Sequence, residues 1–222
     1  MNKVLVLAVH PDDETFGCGG TLLKHKENGD EVFWLIATRM EEGSCFSKER
    51  IELREREIET VAKMYHFDGI DNLEIPATRV SELSTNGLID RIAKIFNRIK
   101  PNIVYLPFIG DVHSDHRIML EAAYSCTKTF RYPFVKKILM METISETEFA
   151  PSLAQFAFTP NYFVDISEFL DRKLDIVKVY ENELGEHPFP RNLGNITALA
   201  TFRGAMSGCR YAESFMISKE IW

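Results

Sequence analysis

The chain has 222 residues, of which 45% are hydrophobic and 27% are charged, and its formal net charge at pH 7 is −7. This length and composition fit a folded globular protein with a substantial core, and they exclude a disordered or low-complexity chain. The acidic balance, without a run of Lys or Arg, disfavours nucleic acid and anionic membranes as partners and favours a small, largely uncharged substrate. We expect a single domain spanning residues 1–222.

The N-terminus and the cysteines predict a cytoplasmic protein. The short apolar run of the first residues is followed at once by carboxylates and carries no small-residue cleavage site, so we do not expect a signal peptide. No stretch is long and apolar enough to predict insertion into a membrane. The cysteines are scattered without a C-x-x-C pair, which disfavours a disulfide framework and a thiolate zinc site: Cys18, Cys45, Cys126 and Cys209.

Strand and helix patterns alternate along the first two thirds of the chain. Short, branched apolar runs predict buried strands at residues 3–9, 31–37 and 102–108. Capping signals and helical spacing predict helices at residues 21–28, 47–67 and 88–99, with Ser47 as an N-cap. This alternation predicts an α/β fold, a Rossmann-like three-layer sandwich with a mostly parallel sheet.

The last third has a less regular pattern. It predicts strands at residues 137–143 and 162–166 and helices at residues 167–184 and 195–206. Three glycines, Gly17, Gly19 and Gly20, precede the first predicted helix, and we expect them to allow close packing. His25 and His66 are expected to be exposed helix residues.

Two clusters of His and Asp carry the chemistry. The segment His10–Glu14, HPDDE, ends the first predicted strand, and GDVHSDHR at residues 110–117 follows the 102–108 strand. Ligands of open α/β sheets bind beyond the carboxyl ends of the strands, so both clusters should meet at one edge. One carboxylate and two histidines would leave a position for water on a catalytic zinc ion, which lowers the pKa of that water to about 7.

The spacing alone leaves the individual roles open. One of Asp12 and Asp13 can bind the metal while the other accepts a proton from water. One of His113 and His116 can bind the metal while the other faces the substrate carbonyl. Asp115 can orient a ring nitrogen from behind a ligand.

Both clusters resemble a known family. AVHPDDE at residues 8–14 and DVHSDH at residues 111–116 are similar to the two signature motifs of the PIG-L/LmbE-like zinc N-deacetylases, which remove acetyl from N-acetylglucosamine-bearing molecules. GCGGTLLKHKENGDEV, IELREREIETVAKMY and RYAESFMI resemble further parts of the family, so the resemblance covers most of the chain.

The resemblance implies a role for each site residue. It makes His10, Asp13 and His116 the zinc ligands. It makes Asp12 the general base and His113 the electrostatic partner or general acid, and Arg54 becomes a substrate contact. The chain departs from the family pattern at three places. Ser114 replaces a common proline, and no tyrosine stands just before His113. The segment TRMEEG at residues 38–43 lacks the particular glycine that family members often have after the second strand.

The expected function is therefore zinc-dependent removal of acetyl from an N-acetylglucosamine-type amino sugar or its conjugate. Other zinc chemistry on the same scaffold is the main alternative, as a thiol-conjugate amidase or a hydratase. A metal-free nucleotide-binding module is disfavoured because the carboxylates would repel phosphate. The loop at residues 185–192 is either a substrate lid or, as we expect, a surface connection. A homo-oligomer is compatible with the sequence.

Overall fold

The computed structural model describes residues 1–42 and 46–222, so Cys45 lies outside the described residues. One mixed sheet has the strand order β3-β2-β1-β4-β5-β7-β6. Its strands are β1 Lys3–Ala8, β2 Glu31–Arg39, β3 Gly69–Pro76, β4 Ile103–Leu106, β5 Lys137–Met141, β6 Tyr162–Asp165 and β7 Ala212–Glu220. The α-helices are α1 Asp13–Glu27, α2 Lys48–Tyr65, α3 Thr85–Ile99, α4 Ser114–Ser125, α5 Leu170–Val177 and α6 Leu193–Ser207.

The sheet is mostly parallel and is covered on both faces. Strands β1 to β5 pair in parallel, and β7 runs antiparallel to both of its neighbours. Alternate residues of β1 point to opposite faces: Leu5 packs with residues of α3 and α4, while Val4 packs with residues of α1, α2 and α5. The prediction of an α/β sandwich with a mostly parallel sheet is confirmed.

The strand order reverses at β1, which has β2 on one side and β4 on the other. Strands β1 and β4 are aligned with Val4 opposite Ile103 and Val6 opposite Tyr105. Their carboxyl ends therefore lie side by side at a topological switch point, where α/β sheets bind ligands. The segments that follow these two strands carry both His and Asp clusters.

Helix α1 begins at Asp13, eight residues before the predicted start at residue 21. The predicted start was too late because glycines are poor helix formers and argue against a helix at residues 17–20. In the structure these glycines lie in the helix, and glycine is needed there because neighbouring side chains lie too close to leave room for a Cβ atom. A Cβ atom on Gly20 would lie 2.8 Å from Ile166 Cγ2, and one on Gly19 would lie 2.5 Å from Tyr65 Oη. The predicted packing role of these glycines is confirmed.

A break at Cys18, with φ −150° and ψ 22°, divides α1 into two parts. Glu213 of β7 accepts hydrogen bonds from the backbone N–H groups of Gly20 at 2.9 Å and Thr21 at 2.7 Å. Lys173 of α5 donates to the Phe16 carbonyl at 3.0 Å and to Glu213 at 2.7 Å. The buried Lys173 and Glu213 side chains thus replace backbone hydrogen bonds at the break.

The predicted helix at residues 167–184 is shorter in the structure. Helix α5 ends at Val177 and continues as a 3₁₀ segment, Lys178–Glu183, which is broken at Tyr180 with ψ 49°. The break points the Tyr180 hydroxyl at Glu14, to which it donates at 3.0 Å. A tertiary hydrogen bond at a buried carboxylate has overridden the local helical preference here.

The sequence also predicts an N-cap at Ser47 and exposed side chains for His25 and His66. The predicted N-cap is confirmed, because Ser47 Oγ accepts from Arg50 N at 3.3 Å. His66 is exposed, as expected. His25 is not exposed: only 15% of its side chain is accessible, and its ring bonds Asp30 and Tyr105 at 2.8 and 2.9 Å. Among the described residues, no helix is long and apolar enough to cross a membrane.

Candidate metal centre and active-site cavity

The two His and Asp clusters converge at the carboxyl ends of β1 and β4. His10 lies two residues after the end of β1, and Asp13 is the first residue of α1. His113 is the N-cap of α4, and His116 lies in its first turn, so the two rings point to the same side. The ring centroid of His10 lies 4.6 Å from that of His113 and 5.3 Å from that of His116.

His10, Asp13 and His116 form a group whose candidate ligand atoms all lie within 4.8 Å of one another. His116 Nε2 is 3.2 Å from Asp13 Oδ2. Within the described part of the chain, His116 Nε2 and Asp13 Oδ1 are buried and have no hydrogen-bond partner. Buried polar atoms are normally paired, and an imidazole with a carboxylate is a donor set that zinc prefers, so these residues fit a zinc ion.

The electrostatics of the Asp13 and His116 pair agree with this fit. Burial alone would raise the pKa of Asp13, but His116 and His10 hold that pKa below its usual value. Burial would lower the pKa of His116, but Asp13 and Asp111 raise it well above its usual value. The two carboxylates thus favour positive charge at the buried His116 ring, and a bound cation can supply that charge in place of a proton.

Asp111 orients the His116 ring. Its Oδ2 lies 2.9 Å from His116 Nδ1, and its Oδ1 accepts from Thr147 Oγ1 at 2.7 Å. A carboxylate on Nδ1 places the ring proton there and leaves the Nε2 lone pair facing Asp13. From the sequence, this kind of role is predicted only for Asp115, although Asp111 is the first residue of the DVHSDH motif.

Asp115 lies beside His10, not beside His116. Its Oδ2 is 3.6 Å from His10 Nε2 and accepts from Thr78 N at 2.8 Å. His10, His113 and Asp115 form a second possible metal group. However, His113 Nδ1 accepts from Asp115 N at 3.1 Å, so a neutral His113 ring carries its proton on Nε2 and has no free lone pair. The group with Asp13 therefore fits a metal better.

Asp12 is held in an unusual conformation next to the metal group. Its φ is 151°, a strained value for a residue with a side chain, and its backbone N–H donates to Glu14 Oε2 at 3.1 Å. Burial, which outweighs the nearby Arg191, raises the pKa of Asp12 to about 6. Burial likewise raises the pKa of Glu14 to about 8.

His113 lines the cavity beside the metal group, with its ring centroid 5.6 Å from that of His116. Burial and the neighbouring His10 and His116 rings lower its pKa to about 4. Together with its Nδ1 hydrogen bond, this favours a neutral ring whose Nε2–H group can donate.

A cavity of about 250 Å³ is lined by His10, Asp12 and His113. Arg54 lines it and is 4% exposed, and its guanidinium donates to the Pro11 carbonyl and to Glu183. Glu146 also lines it, and its Oε2 is buried without a hydrogen-bond partner among the described residues. Glu146 is not predicted from the sequence, because the segment after β5 carries no motif that would indicate a site residue.

The loop at residues 185–192 also reaches the site. Arg191 is a cavity residue whose side chain is 11% exposed and bonds Asp12 at 3.0 Å. Residues 186–189 are exposed, as expected of a surface connection, but the same loop also buries the charged Arg191 side chain against Asp12. The composition of this loop, with a histidine, two prolines, an aromatic residue and an arginine, is compatible with a role at the site but does not indicate which residue Arg191 contacts.

Comparison with known proteins identifies relatives over most of the chain. The family profile of PIG-L, described as GlcNAc-PI de-N-acetylase, matches residues 5–127. The diacetylchitobiose deacetylase of Thermococcus kodakarensis is 27% identical over an alignment that covers 96% of this chain and 82% of the relative.

Two of the solved structures with the same fold are of proteins from Thermus thermophilus and Pyrococcus horikoshii. The conserved protein TT1542 from Thermus thermophilus is 26% identical with a TM-score of 0.80, covering 100% of this chain and 97% of that one. The N,N'-diacetylchitobiose deacetylase from Pyrococcus horikoshii is 23% identical with a TM-score of 0.77, covering 98% of this chain and 84% of that one.

Proposed function

Because the chain belongs to the PIG-L family, we propose that it is a zinc-dependent hydrolase that removes acetyl from an N-acetylglucosamine-type amino sugar or its conjugate. One observation supports the proposal most directly. In this member of a family of de-N-acetylases, the group of His10, Asp13 and His116 has two buried polar atoms, His116 Nε2 and Asp13 Oδ1, without a hydrogen-bond partner among the described residues.

The substrate class is inferred from the relatives and from the cavity. A curated relative is named as a diacetylchitobiose deacetylase, so an N-acetylated glucosamine disaccharide is a suitable first substrate. A cavity of about 250 Å³ is of a size to hold one sugar ring and its acetamido group. We also propose a cytoplasmic location, which the scattered cysteines support, and homo-oligomer formation stays a prediction.

His10, Asp13 and His116 would hold the zinc ion. When bound, zinc polarises a substrate carbonyl and lowers the pKa of a water molecule. Asp12 lies beside this group and accepts the proton of the attacking water through its unpartnered Oδ1 atom. The water oxygen forms the new bond to the acetyl carbon, and the C–N bond then breaks to give acetate and a free amine.

His113 stabilises the negative charge that develops on the acetyl oxygen. Its Nδ1 atom accepts from Asp115 N, which supports an Nε2–H group that donates to the oxyanion. Asp12 returns the water proton to the leaving nitrogen, so the amine departs neutral. Arg54, on the cavity wall, contacts the substrate, and Asp115 orients His10.

The experiment is a substrate screen with the purified, zinc-loaded protein. N-Acetylglucosamine, N,N'-diacetylchitobiose, a thiol-conjugated amide and an unsaturated hydroxy acid are tested for acetate release, free amine and hydration. Equal amounts of acetate and amine from an N-acetyl sugar are expected. Turnover of the thiol conjugate or of the unsaturated acid alone would instead support the alternative zinc chemistries.

The Asp12→Asn variant tests the assigned base in the same screen. It should keep zinc, because Asp12 is not in the ligand group, and lose about 10²-fold or more in turnover. Near-normal turnover in a zinc-loaded Asp12→Asn protein would remove Asp12 from the mechanism.

A further inference from the structure

Arg191 is a nearly buried cation for which the reaction described so far has no role. It lies in the loop between the 3₁₀ segment Lys178–Glu183 and α6, far from Asp12 in sequence. Its Nη1 donates to Asp12 Oδ2 at 3.0 Å, and its Nε donates to Ser145 Oγ at 2.7 Å. The guanidinium carbon also lies 4.7 Å from the centre of the Phe16 ring. A buried charge requires such partners, and one of the partners of this guanidinium is Asp12, the candidate general base.

The contact makes the two oxygens of Asp12 unequal. Oδ2 is bonded by Arg191, and Arg54 Nη1 stands farther away at 3.8 Å. Oδ1 is buried and has no hydrogen-bond partner among the described residues. A carboxylate held at one oxygen by a rigid donor has its other oxygen fixed in direction, which is what proton transfer from a positioned water requires.

We propose that Arg191 is a positioning residue that holds Asp12 by Oδ2 and thereby presents Oδ1 as the proton acceptor. The inference rests on the proposed function, because it assigns Arg191 a role only if Asp12 is the base. Arg191 acts through Asp12 and does not touch the reacting atoms.

The loop backbone fixes where the guanidinium lies. Gly185 N donates to the Arg191 carbonyl at 3.0 Å, and Asn195 Nδ2 donates to the Pro190 carbonyl at 3.0 Å. Asn192, the N-cap of α6, donates through Nδ2 to the Phe189 carbonyl at 2.6 Å. The loop is thus closed on itself and tied to α6, so the position of residue 191 is set before substrate binds.

The geometry requires arginine and not merely a positive charge. Nε and Nη1 donate in two directions, to Ser145 and to Asp12, from one rigid plane. A lysine ammonium is a single flexible point and cannot hold the carboxylate in the same orientation. Arg191→Lys should therefore preserve the local charge and fold while losing the positioning.

The experiment measures steady-state kinetics and zinc content for Arg191→Met and Arg191→Lys, with acetate release from N,N'-diacetylchitobiose as the assay. Both variants should keep zinc, lose at least about tenfold in kcat and change KM by less than about threefold. In an Asp12→Asn background, Arg191→Met should lower kcat further by less than about twofold, because residues that act as a unit are not additive.

Arg50→Met is the matched control. Arg50 also pairs with Glu183, at 2.7 Å, but it makes no contact with Asp12, so its loss should leave kcat within about twofold.

Three results would each overturn the inference. They are wild-type kcat in Arg191→Lys, a raised KM at unchanged kcat, and an equal loss of kcat from Arg191→Met in the Asp12→Asn background. Failure of the wild type to release acetate from any sugar would instead overturn the proposed function, and the inference with it.

Discussion

At the scale of single residues, metal binding depends on whether the ligand carboxylate is Asp13 or Asp115. Asp13→Ala should reduce bound zinc from about one equivalent to a small fraction, because one of three ligands is removed from a preformed site. Asp115→Ala should reduce zinc content far less than Asp13→Ala, since it removes a contact 3.6 Å from His10 and the acceptor of Thr78 N but no ligand. Elemental analysis of the dialysed variants measures their zinc content and shows which of the two carboxylates is the ligand. The reverse pattern would transfer the ligand role to the His10, His113 and Asp115 group.

Asp111 gives a second prediction at this scale. Asp111→Ala should weaken zinc binding by about 10- to 100-fold, because His116 loses the acceptor that fixes its ring. Asp111→Asn keeps an oxygen for His116 Nδ1 and should lose less. Competition with a chromophoric chelator measures both affinities. Unchanged affinity in the alanine variant would show that the ring is held without Asp111.

His113 should affect turnover more than substrate binding. The contact of its Nε2–H group with the acetyl oxygen strengthens as negative charge develops, so His113→Ala should lower kcat by about 10²-fold and raise KM much less. Zinc content measured on the same sample is the control. Loss of zinc in this variant would mean that the roles of His113 and His116 had been exchanged.

The sequence predicts the residues at the strand ends but not those that reach them from afar. His10, Asp13 and His116 follow from two local motifs and from the rule that parallel strands end at one edge. Arg191 contacts Asp12 across 179 residues of sequence. A contact of that separation depends on the path of the whole chain, which no local pattern encodes.

At the scale of elements, the two parts of α1 depend on a buried ion pair. Glu213 accepts the backbone N–H groups of Gly20 and Thr21, and it neutralises Lys173, which is 4% exposed. Glu213→Gln leaves the Lys173 charge buried without its partner and should lower the free energy of unfolding by about 3–5 kcal/mol. Urea unfolding of the two proteins measures this difference.

The matched control for this prediction is Asp175→Asn. Its carboxylate pairs with Lys178 at 2.7 Å, but 62% of its side chain is exposed, so the substitution should change stability by less than about 1 kcal/mol. Equal, small effects of the two substitutions would show that the break in α1 does not depend on Glu213.

The predicted elements match the structure where local pattern and tertiary packing agree. Helix α3 has five buried apolar residues at helical spacing and was predicted within three residues of its start. Strand β3 was missed, because it is an edge strand whose polar residues alternate with buried Leu73 and Ile75. Strand β7 was also not predicted, although it supplies Glu213, because its charged residues obscure the apolar pattern.

At the scale of the whole molecule, the site is assembled from both ends of the chain. The family profile ends at residue 127, after the metal group and α4. Glu146 and Arg191 come from beyond that point and complete the cavity. We therefore expect metal binding to depend on the first part of the chain and substrate positioning on the second.

The central claim is that a metal held at the carboxyl ends of β1 and β4 enables hydrolysis of an N-acetyl amino sugar. The most direct measurement is acetate release from N,N'-diacetylchitobiose by wild-type protein that has been stripped with a chelator and then titrated with zinc. Activity should disappear on stripping and return in proportion to zinc up to one equivalent per chain. Full activity in the stripped protein, or no acetate release at one equivalent of zinc, would contradict the account.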